Sequence, residues 1–95
     1  MNEKLRDENL DTLFEAFMKL KNRDEFYCLF EDLFTISEMK AMAQRFQVAK
    51  LLSEGVIYTE IEQQTGASSA TISRVNKCLN YGANGYRTAI ERLEK

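Results

Sequence analysis

The chain has 95 residues, with 13 Lys and Arg against 15 Asp and Glu, two Cys, and no His, Pro or Trp. That length holds a single domain over 1–95, and a chain so short buries only about 60–65% of its unfolded surface, so pairing with a second copy would add stability it needs. Without His the usual general base and the commonest metal ligand are gone, and Cys28 and Cys78 have neither a zinc spacing nor a disulfide framework, so no enzyme, metal or cofactor is expected.

The first residues, Met1-Asn2-Glu3-Lys4-Leu5-Arg6-Asp7-Glu8, are charged, unlike a signal peptide, and no apolar run approaches the ~18 residues of a membrane span. A cytoplasmic protein with reduced thiols is the expectation. Leu10, Leu13, Phe14, Phe17 and Leu20 then fall on one helical stripe. After the polar break Lys21-Asn22-Arg23-Asp24 the pattern repeats in Phe26, Leu29, Phe30, Leu33 and Phe34. Five of the six Phe lie in these two helices, more aromatic surface than one short hairpin hides. A core shared with a second chain is the expectation.

Thr35-Ile36-Ser37-Glu38 reads as a capping box opening a long helix to about Ser53. Met39, Ala43 and Phe46 lie on one side of it and Ala41, Val48 and Leu52 on another, the mark of a helix with several neighbours. Gly55 ends it. The helices over about 1–54 are therefore assigned to dimerisation.

Residues 58–79 carry the functional signal. Thr59 with Glu62 reads as a second capping box, Gly66 supplies a left-handed residue that closes a short helix, and Ser68 or Ser69 caps a new one. Two short helices joined by a tight Gly turn make a helix-turn-helix, with Ile61, Ile72 and Val75 placed to pack its helices together. Glu62 stands where such motifs usually have a small residue. A last helix is expected over about 82–94.

Charge divides along the chain. Residues 1–39 carry five basic and ten acidic side chains, net −5, while 40–95 carry eight and five, net +3. Between Ala67 and Tyr81 there are Arg74, Lys77 and no acid. The second helix opens with Ser68, Ser69, Ala70, Thr71 and Ser73, short side chains that let a backbone approach base edges in a DNA major groove. Its amide N-terminus favours phosphate, and Arg74 and Lys77 add positive charge.

From Phe30 to about Leu93 the chain resembles the tryptophan repressor superfamily. The matching stretches are Thr35-Ile36-Ser37-Glu38, Gln44-Arg45, Leu51-Leu52 with Gly55, and Gly66-Ala67-Ser68-Ser69-Ala70-Thr71-Ile72-Ser73-Arg74. The run from Gly66 to Gly82 resembles the YerC/YecD-type repressor-like proteins. The resemblance implies an all-α, intertwined homodimer with two helix-turn-helix heads, the start of the recognition helix entering the major groove. Ser69, Ala70, Thr71 and Ser73 occupy the matching positions. It also implies an indole clamp built from two Arg, matched by Arg45 and Arg74, with Thr71 lining the pocket. Here Val75 stands where the repressor has Gly and Cys78 where it has a pocket Ser, and one residue fewer separates Gly55 from Gly66. Tryptophan is therefore not the expected ligand, and no corepressor is assigned.

The reading that follows is a homodimeric regulator of transcription that binds double-stranded DNA through Ser68, Ser69, Ala70, Thr71, Ser73, Arg74 and Lys77, with Arg45, Thr71 and Arg74 available to a small ligand. The alternative is a protein–protein module in which the helix-turn-helix only packs. Salt separates the two, because phosphate contacts make log K fall linearly with log salt concentration.

Overall fold

A computed structural model describes residues 2–95. A short 3-10 turn at Glu3–Leu5 precedes six α-helices, and no strand occurs among the described residues. The helices are α1 (Glu8–Lys19), α2 (Arg23–Leu33), α3 (Ile36–Ser53), α4 (Tyr58–Thr65), α5 (Ser69–Tyr81) and α6 (Gly85–Leu93). The all-helical class and the order of the elements agree with the sequence. The chain forms two compact units, the first ending at Met39 and the second starting at Lys40.

In the first unit each helix start is fixed by a nearby side chain. Asp7 accepts from the Leu10 amide at 2.8 Å, and Asn22 accepts from the Glu25 amide at 3.0 Å. The Glu25 carboxylate reaches back to the Lys21 amide at 2.7 Å. The Thr35–Glu38 capping box forms as expected, in both directions. The Phe rings gather along both helices. Phe17 sits 6.2 Å from Phe14, 6.2 Å from Phe26 and 5.5 Å from Phe30, and Phe30 sits 4.9 Å from Phe34, between ring centroids. Yet α1 and α2 contain no buried residue, and Phe14 and Phe26 stay 48% and 38% exposed.

The second unit has a closed core. Val48 and Ala49 from α3, Ile61 from α4, Ala67 from the turn, Ile72, Val75 and Leu79 from α5, and Ile90 from α6 are all buried. Phe46, Leu51, Leu52, Val56, Tyr58 and Tyr86 pack around them. Ala43 is exposed, so the core side of α3 runs through Phe46, Val48 and Ala49.

Gly55 ends α3 at φ +82°, with its own amide bonded to the Leu52 carbonyl and the Val56 amide to the Leu51 carbonyl. This pair of bonds satisfies two orphan carbonyls and seats Val56 against the core. The helix that follows departs from expectation. It begins at Tyr58, with extended Ile57 in the cap position and no side-chain cap, so the Thr59–Glu62 box does not form. Tyr58, packed on the core, is drawn into the first turn. At the far end Gly66 adopts φ +72°, as expected. The turn is held by the Thr65 hydroxyl, which donates to the Ile61 carbonyl at 2.7 Å and accepts from the Ala67 amide at 3.1 Å. Gln44 of α3 donates to the Thr65 carbonyl at 3.0 Å.

No helix among the described residues is long and apolar enough to cross a membrane.

Candidate nucleic-acid interface

The sequence left open whether Ser68 or Ser69 caps α5; the cap is Ser68. Its hydroxyl oxygen accepts from the Thr71 amide at 3.1 Å and shares a second hydrogen bond with the Thr71 hydroxyl, also at 3.1 Å. A capped start lets the first amides of α5 face outward with the positive end of the helix dipole. Ile72, Val75 and Leu79 fall on one stripe and are buried, which fixes the rotation of the helix about its axis. The opposite stripe carries Ser69, Ala70, Ser73, Arg74 and Lys77, all exposed. The early members of that stripe are small, so nothing long stands between the backbone and an approaching surface.

The charge on this stripe is uncompensated. No Asp or Glu occurs from Gln63 to Ile90. The ion pairs among the described residues are Arg6–Glu3, Lys50–Glu54 and Lys95–Glu91, so Arg74 and Lys77 carry none. Two free cations beside a capped helix start are suited to phosphate.

Thr71 is half-buried on the flank of the stripe, next to its bond with Ser68. Arg45 is half-buried in α3 and makes no ion pair with the described residues. Its helix contributes Val48 and Ala49 to the core that also holds Ile72 and Val75 of α5. Val75 is 2% exposed and belongs to that core, while Cys78 is exposed. A cavity of about 270 Å³ in the second unit is lined by Ser53, Arg87, Ile90, Glu91 and Glu94, and none of Arg45, Thr71 and Arg74 lines it.

Asn80 and Tyr81 lie outside the residues that the sequence singles out. They continue the exposed stripe one turn beyond Lys77, and Tyr81 is 87% exposed. Their spacing from Lys77, three and four residues on, was the available signal.

The second unit thus holds a helix-turn-helix: a buried inner stripe, a left-handed Gly turn and an outward, acid-free α5. The family model described as Trp repressor protein matches residues 8–94, and the chain belongs to the Trp repressor family. It is 50% identical over 93 residues to the uncharacterised protein YerC of Bacillus subtilis (strain 168), covering 98% of this chain and 89% of that one. Among solved structures it is similar to a candidate Trp repressor from Staphylococcus aureus, with TM-score 0.92 and 47% identity over 97% of this chain and 92% of that one. It is similar also to a TrpR-like protein from Eubacterium eligens ATCC 27750, with TM-score 0.93 and 50% identity over 98% of this chain and 96% of that one.

Proposed function

We propose that this protein is a sequence-specific transcriptional regulator that binds double-stranded DNA as a homodimer, with the start of α5 in the major groove. The observation that carries the reading is the outer stripe of α5. It presents Ser69, Ala70 and Ser73 to base edges and the unpaired Arg74 and Lys77 to phosphate, with no carboxylate from Gln63 to Ile90 to repel the duplex. Ser68, exposed at the same helix start, caps the helix and positions Thr71. Membership of the Trp repressor family supports the same conclusion.

Homodimerisation rests on the first unit. The first unit carries five Phe, none of them buried, which need a cover, and a second copy brings a surface of the same kind. Together, 1–95 acts as one regulator domain, with paired N-terminal helices presenting two reading heads. Any small-molecule effector would meet Arg45, Thr71 and Arg74, and Val75 in the core argues against tryptophan as that effector.

Selection of bound duplexes from a random DNA pool tests the reading. The expected result is a near-palindromic site whose affinity falls linearly with salt on logarithmic axes. Recovery of no enriched sequence, with no salt-dependent binding, would hand the helix-turn-helix a packing role only.

A further inference from the structure

Arg87 is a cation of the acid-free stretch that does not face outward into solvent alone. From α6 it reaches back to the end of α5. Its Nε donates to the Leu79 carbonyl at 3.1 Å and its Nη2 to Oδ1 of Asn80 at 2.9 Å. Asn80 in turn donates through Nδ2 to the carbonyl and to Oδ1 of Asn76, each at 3.0 Å. A line of hydrogen bonds therefore runs from α6 into the last turn of α5 and up one flank of it.

Three facts set Arg87 apart from an ordinary surface cation. Glu91 lies four residues on, the right spacing for a helical ion pair, yet Glu91 pairs with Lys95 and Arg87 takes the end of α5. The last turn of α5 has no basic residue of its own, so this guanidinium is the charge that meets the negative end of its dipole. The chain leaves α5 through Gly82, where a Cβ would run into the Cys78 carbonyl, and turns through Asn84 at φ +69°. That tight exit is what brings Arg87 back over Leu79.

We infer that Arg87 is a positioning residue for the DNA-reading stripe, fixing the C-terminal half of α5 through Leu79, Asn80 and Asn76. Lys77 sits between Asn76 and Asn80 in sequence, so the grip on these two sets where its ammonium stands along the helix. The inference rests on the reading of α5 as the recognition helix. Its own content is that Arg87 acts through α5 and does not itself touch phosphate.

The test uses the full chain and a duplex enriched from the random pool by the parent protein. Affinity is measured over a range of KCl concentrations for the parent, Arg87→Met, Arg87→Lys and Asn80→Ala, with thermal melts alongside. Arg87→Met is expected to bind about tenfold more weakly at every salt concentration, with the slope of log K against log salt unchanged and the melting temperature lowered by several degrees but still well above the binding temperature. Arg87→Lys, which keeps the charge and one donor but loses the two-pronged geometry, is expected to fall between. Combining Arg87→Met with Asn80→Ala should cost less than the two single losses multiplied, because they break one line of bonds. A slope reduced by about one in Arg87→Met would make Arg87 a phosphate contact and overturn the inference. So would unchanged affinity, or an affinity loss that merely tracks a fall in melting temperature. If Arg87→Met does not fold, Arg87→Lys decides: weaker binding at an unchanged slope supports the positioning role, and parent-like affinity overturns it. A parent protein that binds no duplex overturns the DNA-binding reading and this inference with it; a parent that binds while Arg87→Met binds equally overturns this inference alone.

Discussion

Gln44 and Thr65 are 21 residues apart in sequence and joined by one hydrogen bond, from the Gln44 side-chain amide to the Thr65 carbonyl at 3.0 Å. The bond is partly buried, and it ties α3 to the end of α4 one residue before the left-handed Gly66. Removing the donor leaves a carbonyl at a helix end without its side-chain partner. Gln44→Ala should therefore lower the unfolding free energy by about 1–2 kcal/mol. Denaturant titration of both proteins checks the figure.

The exposed Phe rings of the first unit give a second expectation. If they pack against a second copy, the interface should exceed roughly 2,000 Å², and the melting temperature should rise with protein concentration. Phe17 touches Phe14, Phe26 and Phe30, so Phe17→Asp should dissociate the dimer. Sedimentation of parent and variant measures this directly. A parent that sediments as a monomer at all concentrations rules the dimer out.

The features legible in the sequence are those decided within about four residues. Thr35 with Glu38 and Gly66 each bond or bend their own neighbourhood, and Ser68 or Ser69 marks the next cap, so the start of α3 and the turn could be read directly. The Thr59–Glu62 pattern places the start of α4 two residues too late, because that pattern is local while Tyr58 answers to the core. Gln44 gave only the family match of Gln44-Arg45, which says nothing of its partner, and Arg87 gave no readable signal. Their partners lie 21 and eight residues away, and only the packing of helices brings them together. The outer stripe of α5 was legible as far as Lys77, and stopped there because Asn80 and Tyr81 carry no charge to mark them.

Acid should weaken the start of α3. Hydrogen bonds from the Thr35 amide, and then from the Thr35 side chain, hold the Glu38 carboxyl below its ordinary value of 4.5, against a smaller opposing effect of burial. The folded value is thus lower than the unfolded one. The contribution is fully present above the unfolded value and is lost as pH falls through the folded one. Glu38→Gln should differ most from the parent near neutrality, and the two should converge as pH falls well below 4.5. Thermal melts across that range measure the convergence.

Tryptophan should bind weakly or not at all. Val75 is 2% exposed and built into the core, where the repressor pattern has a Gly, and the Cys78 thiol is a poor partner for an ammonium group. Calorimetry with tryptophan, on the parent and on Arg45→Ala, gives the answer. Micromolar binding by the parent that disappears in Arg45→Ala would show that the two Arg still form an indole site.

The outer stripe of α5 makes the sharpest prediction, because its members should fail differently. Lys77 is exposed, unpaired and two turns into the helix. Lys77→Ala should weaken every duplex about equally and reduce the salt slope by about one, the signature of a lost phosphate contact. Ala70 is exposed at the helix start, on the face opposite Ile72, Val75 and Leu79. Ala70→Glu would set a carboxylate against phosphates and acceptor-rich base edges at the point of closest approach. Ala70 belongs neither to the core nor to the residues packed against it, so the helix content and the oligomeric state should stay as they are. Binding to the selected duplex should be abolished. Two heads related by a two-fold axis would read half-sites about 34 Å apart, so the loss should appear equally in both halves of a near-palindromic site. Should Ala70→Glu bind that duplex as tightly as the parent, with its circular dichroism unchanged, α5 does not enter the groove by its N-terminal turn.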